Sequence, residues 1–225
     1  MGLQVFRMVR GLAVGAVMLT GITACSGDGE SAARGDSTAS ANASQKDERA
    51  TGDDREAKAP IVLTQDQVCR ALVDTESAPD GWEGFGAEID VPEEALRTCR
   101  QDTGTKCEGF IALGSSFIRQ SVSGGQVVFR IYAFGTPGDA QVAMKGLAAG
   151  ERSKAGSRAR PLEVRLDTDE TDAFTGPQTM IVTRLGGTLV RVISEDLPQT
   201  VPYADLAKLQ TARVRQTAAI EDVGP

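Results

Sequence analysis

The side chains of this chain that could carry chemistry are arginines, carboxylates and cysteines. Arg130, Arg165, Arg184 and Arg191 each fall in a run that reads as a β-strand, and Arg184 and Arg191 share one face of one hairpin. If such arginines converge they form a cationic cleft for a carboxylate or phosphate, because each guanidinium presents a fixed fork of donors. On a solvent-facing sheet side the same residues would instead discourage edge pairing and lay their stems over apolar neighbours.

Asp167, Asp169, Glu170 and Asp172 cluster as calcium ligands do, but a loop of the EF-hand type needs Gly at its sixth place and Glu at its twelfth. Here those places hold Asp172 and Gln178, so the cluster reads as a solvated acidic loop. Paired carboxylates also serve glycoside hydrolysis, for which Glu93 with Glu94, or Glu88 with Asp90, are the nominees. Nothing in their spacing sets two carboxyls across a cleft, and acids in the first turn of a helix are favoured by its dipole.

The chain contains no histidine. Serine or cysteine nucleophiles activated by an imidazole base are therefore excluded, and so are imidazole-based zinc or copper sites. No catalytic residue, metal or cofactor is expected, and the ligand-binding residues are unknown. The formal net charge of -7 disfavours nucleic acid as a partner, since phosphate binding needs a basic face.

Of the four cysteines, Cys69, Cys99 and Cys107 lie beyond an N-terminal leader, and in an oxidising compartment one pair should be bridged. Cys99 and Cys107 flank Asp102-Thr103-Gly104-Thr105, a short loop that closes easily, and form the preferred pair against the two pairings that use Cys69. The cysteine left over reads as a buried, inert thiol, with no histidine to activate it.

These residues must be positioned by a domain of roughly 160 residues, enough for one hydrophobic core. Thr64 with Gln67 makes a capping box, with Leu63 and Val68 as its staple, and predicts a helix over 65 to about 73. Ala78-Pro79-Asp80-Gly81-Trp82 reads as a turn, and Val91-Pro92-Glu93 opens a short helix reaching about 98. Residues 127–134 carry the plainest strand signal, with Val127, Phe129, Ile131 and Ala133 on one face and Arg130 and Tyr132 on the other.

Thr136-Pro137-Gly138-Asp139 then caps a helix with Ala140, Ala143, Met144 and Leu147 on one stripe, ending at Gly150. The alternation over 162–166 predicts another strand. Gly186-Gly187 between two strand-like runs predicts a hairpin, because the turns that match strand twist need positive φ. Pro198 and Pro202 break the chain before a last helix over 203 to about 220. The fold class these elements predict is α+β, a single domain with an antiparallel sheet and helices packed on one face.

The N-terminus has its own chemistry. Arg7 and Arg10 precede an apolar stretch over 12–22, too short to span a bilayer, and Ile22-Thr23-Ala24-Cys25 follows. The tetrad resembles the lipobox of bacterial lipoprotein signals, which implies cleavage before Cys25 and a diacylglyceryl group on its sulfur. Residues 1–24 are then the signal peptide. Residues 25–60 hold the acylated cysteine and a polar tract, with no aromatic and no aliphatic larger than Ala over 26–60, which cannot offset its ordering entropy and reads as a disordered tether. Residues 61–225 form the extracytoplasmic domain.

A strand ending in Phe134, a short turn, an Ala-rich helix, the acidic Thr168-Asp169-Glu170, a Gly-hinged hairpin and a closing helix follow one another in order. Over about 61–220 this order resembles the extracellular sensor-domain family of actinobacteria, which includes the outside domain of a transmembrane serine/threonine kinase of the PknH type and many free lipoproteins. The resemblance implies a cleft that binds an unidentified ligand.

The function expected from the sequence is that of a non-enzymatic, sensor-like or ligand-binding lipoprotein, held by the lipid on Cys25 at the extracytoplasmic face of the cell membrane. Its partners would be that membrane and a small molecule. Docking of another envelope protein, with an exposed patch around Trp82 and Phe85, is the alternative. A carboxylate-based cell-wall hydrolase ranks third.

Overall fold

A computed structural model describes residues 59–195, 197–198 and 200–220, together with the backbone of residues 23–24. The strands are β1 (Thr23–Ala24), β2 (Trp82–Ile89), β3 (Phe110–Gln120), β4 (Gln126–Phe134), β5 (Arg160–Pro161), β6 (Glu170–Thr175), β7 (Met180–Leu185) and β8 (Thr188–Glu195). The helices are α1 (Gln65–Ala71), α2 (Pro92–Thr103), α3 (Pro137–Ala155) and α4 (Tyr203–Ile220). The strands form one antiparallel sheet in the order β1-β2-β3-β4-β8-β7-β6-β5. The α+β class and the single domain expected from the sequence are those observed.

The helices cover both faces of the sheet, where the sequence predicted one. Phe129, Ile131, Ile181, Val190 and Val192 point toward α1 and α4 and join Val68, Leu72, Tyr203, Leu206 and Val214 in one core. Tyr132, Val182, Leu189 and Ile193 point the other way and join Ala95, Cys99, Met144 and Leu147 of α2 and α3 in a second core. Strands that are apolar on both faces need cover on both. Phe129 and Tyr132 are each fully buried, on opposite sides of β4. Such burial is worth about 1.5–3 kcal/mol for each large apolar side chain.

Local signals act as expected at the helix starts. Thr64 Oγ1 accepts from Gln67 N, and Gln67 Oε1 accepts from Thr64 N at 2.7 Å, closing the capping box of α1. Thr136 Oγ1 accepts from Asp139 N at the start of α3. The hairpin turn lies at Gly186-Gly187, with Gly186 at φ 58°. Gly187 N donates to Ile61 O at 2.7 Å, so the chain enters the domain across that turn.

Several expectations are corrected. Residues 162–166 are not a strand: Leu162, Val164 and Leu166 lie half-buried against the first core, and regular pairing is confined to Arg160–Pro161. The acidic stretch is strand rather than loop from Glu170 onward. Helix α2 runs on to Thr103 and is ended by Gly104 in the left-handed conformation, while α3 passes through Gly150 to Ala155.

Strands β2 and β3 had no counterpart in the sequence reading, because glycine weakens the strand signal. The same glycines are required by close approach. A Cβ on Gly84 would lie 2.5 Å from Asp74 O, and one on Gly114 within 3 Å of Ile89, Leu72 and Val68.

Candidate functional site

The second core contains a group of charges. Register places Arg130 of β4 directly opposite Arg191 of β8, and Tyr132 lies one pleat further along β4 on the same face. Two like charges facing each other at the centre of a sheet are unfavourable unless an anion bridges them. Asp102, on the last turn of α2, supplies it. Its Oδ2 accepts from Arg130 Nη1 at 2.8 Å, from Arg191 Nη1 at 3.3 Å and from the Tyr132 hydroxyl. Arg191 also donates through Nη2 to Glu151 Oε1 of α3 at 3.0 Å, and Lys154 Nζ reaches the same oxygen at 2.9 Å.

The site is graded in exposure. Tyr132 is fully buried, the Arg191 and Glu151 side chains are 8% and 9% exposed, and those of Asp102 and Arg130 are 18% and 33% exposed. Burial, reinforced by the Asp102 charge, pushes the Tyr132 phenol well above its ordinary range, so it stays protonated and donates. Burial alone would weaken the Arg130 guanidinium as a base, yet the Tyr132 oxygen and Asp102 more than reverse this and hold it charged. Asp90, just before α2, is pushed above the usual carboxylate range by burial, against the pull of Arg130.

Local structure fixes Asp102. The Cys99–Cys107 disulfide closes the loop that contains it, and Thr103 Oγ1 donates to Cys99 O at 2.8 Å. A Cβ on Gly146 of α3 would lie 2.1 Å from Thr103 O, so only glycine lets α3 approach the end of α2 this closely. The expected Cys99–Cys107 pair is the one formed. Cys69 is disulfide-bonded rather than free, which corrects the expectation of a leftover thiol. Cys25, expected from the sequence to carry the lipid, lies outside the described residues.

Beside the charges the same sheet face turns apolar. Phe117 pairs with Val128 across β3 and β4, one pleat from the Ser115–Arg130 pair. Phe85 stacks on Phe117 with ring centroids 4.3 Å apart, and the exposed Arg119 lies over both rings at 5.0 and 5.8 Å. Phe85, Phe117 and Val128 are half-buried.

Of the four arginines singled out by sequence, Arg130 and Arg191 converge. Arg184 is engaged elsewhere, with Asp169 at 3.1 Å and Glu170 at 3.7 Å, and Arg165 is exposed beside Glu163. The acidic cluster is dispersed among partners: Asp167 with Arg215, Asp169 with Arg184, Glu170 with Gln141 and Arg184, and Asp172 with Arg152. Among the described residues no group of three or more side chains could hold a metal ion. Glu93 and Glu94 occupy the first turn of α2, and Trp82 is half-buried against the first core rather than part of an exposed patch.

Sequence reasoning missed Asp102 and Glu151, which reach the sheet from helices. The disulfide loop around Asp102 was its one local signal. Chemically, the arrangement is a set of donors converging on a carboxylate beside an aromatic floor. It offers no paired nucleophile and base.

No family model and no curated protein matches the chain. Among solved structures it is similar to the crystal structure of the extracellular domain of PknH from Mycobacterium tuberculosis, with 12% identity and a TM-score of 0.45. The similarity covers 70% of this chain and 98% of that one. At that level it assigns no function and no site.

Proposed function

We propose that the chain is an exported lipoprotein, anchored through Cys25, whose domain is a non-enzymatic ligand-binding module at the extracytoplasmic face of the membrane; with Cys99 and Cys107 joined to each other, a lipid on the Cys25 sulfur and a bridge from Cys69 within the chain exclude one another, and the lipidated form is the one proposed. The observation that carries the binding half is the sheet face on which Arg130, Arg191, Tyr132 and Asp102 meet the half-buried Phe85, Phe117 and Val128. Binding sites pair a mostly apolar surface with a few converging polar groups, and this face has that composition. The anchoring half rests on the order of basic, apolar and small residues before Cys25. No described helix is long and apolar enough to cross a membrane.

Metabolic labelling with a clickable palmitate analogue tests the anchor: wild-type protein should take the label and the Cys25→Ser variant should not. Release of a small molecule on denaturing the purified protein tests the binding half.

A further inference from the structure

We propose that Arg130, Arg191 and Tyr132 form a carboxylate-binding site that the chain's own Asp102 occupies, and that an organic acid with an apolar body displaces it. The inference rests on the ligand-binding reading and names the ligand class.

The donors and the acceptor differ in how they are held. Arg130, Tyr132 and Arg191 stand on β4 and β8, adjacent strands at the centre of the sheet, paired from Gln126 with Glu195 through Ala133 with Thr188. Asp102 stands on the last turn of a helix, two residues before the left-handed Gly104 that ends it. The donors are therefore set by the sheet, and the anion is brought to them separately, by a helix end and its disulfide loop. The Cys99–Cys107 bridge keeps any excursion of Asp102 within one closed loop.

All three donors meet one oxygen, Oδ2. Arg191 is 7% exposed, and its Nε is buried with no hydrogen-bond partner. The donor capacity of the arginine pair thus exceeds what Asp102 takes up, although Arg184 and Arg213 also leave a buried Nε without a partner. That Nε lies on the guanidinium edge it shares with the Glu151-bound Nη2, so an incoming carboxylate would take over the three bonds that Asp102 Oδ2 accepts.

Magnitudes define the ligand. An internal carboxylate held in place by the fold competes at a far higher effective concentration than a free one. A bare carboxylate therefore cannot displace Asp102 at micromolar levels, and a competitor must bring additional contact. Phe117 and Val128 lie two residues along their strands from Ser115 and Arg130, a step of about 7 Å on a pleated strand. Phe85 extends the floor by one ring. An acid with an aromatic or branched aliphatic body matches this spacing, with its carboxylate at the arginines and its body over the rings. Arg130, the more exposed of the pair, marks the side of entry.

The test compares phenylacetate with its neutral isostere phenylacetamide on the whole exported protein, wild type and Asp102→Ala, by calorimetric titration. The expected result is at least tenfold tighter binding of phenylacetate to Asp102→Ala than to wild type, with the amide weak on both. Adding Arg130→Gln to that variant should abolish the gain. Equal affinity of variant and wild type for the acid, or equal affinity of the variant for acid and amide, would overturn the proposal, since an Asp102 that only neutralises its arginines leaves no site behind. If Asp102→Ala does not fold alone, refolding that succeeds with phenylacetate and not with phenylacetamide supports the proposal, and failure with both refutes it. A non-acidic molecule retained by the wild-type protein would remove the carboxylate assignment while leaving the ligand-binding reading in place.

Discussion

Arg130 and Arg191 stand opposite one another on β4 and β8, and both reach Oδ2 of Asp102, at 2.8 and 3.3 Å. The carboxylate is what makes this cross-strand pair of like charges tolerable. Removing one partner from a largely buried ion cluster typically costs about 3–5 kcal/mol. Because Asp102 keeps some contact with solvent, Asp102→Ala should cost about 3 kcal/mol, the lower end of that range, in urea unfolding without added ligand. A loss below about 0.5 kcal/mol, the size of an ordinary surface change, would mean that the arginines find another anion.

Helix α1 is closed by a side chain from the other end of the domain. Gln210 of α4 is fully buried, donates through Nε2 to Ala71 O at 2.6 Å and accepts from Val73 N at 3.1 Å through Oε1. Gln210→Leu keeps the volume and strands one buried donor and one buried acceptor. It should destabilise the domain by about 3 kcal/mol in urea unfolding, since each such group costs about 1–3 kcal/mol.

Gly146 marks the closest approach of α3 to α2, and a Cβ there would meet the Thr103 carbonyl. Gly146→Ala should cost about 1–3 kcal/mol by overpacking, even though alanine is the better helix former. Hydrogen exchange should show faster exchange at the end of α2, around Asp102. A stabilised variant would show that the two helices separate freely.

Two aspartates pull the acid limb of stability in opposite directions. Burial tends to raise Asp74, but hydrogen bonds from Ser77 and the charge of Arg213 outweigh it, and its pKa lies below the ordinary 3.8. Its contribution is therefore present above pH 3.8 and is lost as pH falls through the lowered pKa. Asp90 is raised above 3.8 by burial, so the unfolded chain ionises first and stability falls as pH rises from 3.8 through the raised value. At pH about 7, Asp74→Asn should lower the melting temperature and Asp90→Asn should raise it; at pH about 2.5, below the ordinary 3.8, both differences should shrink. Melting curves of the two variants at both pH values check the signs.

Much of this fold was legible where a residue acts on its immediate neighbours. Thr64 and Gln67, Thr136, the Gly186-Gly187 turn and the breaks before Tyr203 each announce an element boundary. The signal failed where distant parts meet. Gly84 and Gly114 look like poor strand residues until Asp74, Leu72 and Val68 are brought against them. Leu162, Val164 and Leu166 alternate like a strand, yet they bury their apolar side chains without ladder pairing.

The site divides along the same line. Arg130 and Tyr132 were legible as one strand face, and Arg191 as part of a hairpin face. Their anion sits 28 and 89 residues away along the chain from Arg130 and Arg191, on a helix end that no periodicity links to them.

Whether this domain binds a small molecule is decided by native mass spectrometry of the whole protein, purified gently from the membranes of an exporting host. The expected result is a discrete extra mass, beyond the lipid proposed on Cys25, that leaves on denaturation and analyses as an organic acid. A protein that carries no such mass, and gains none when incubated with the small-molecule extract of that host, would contradict it.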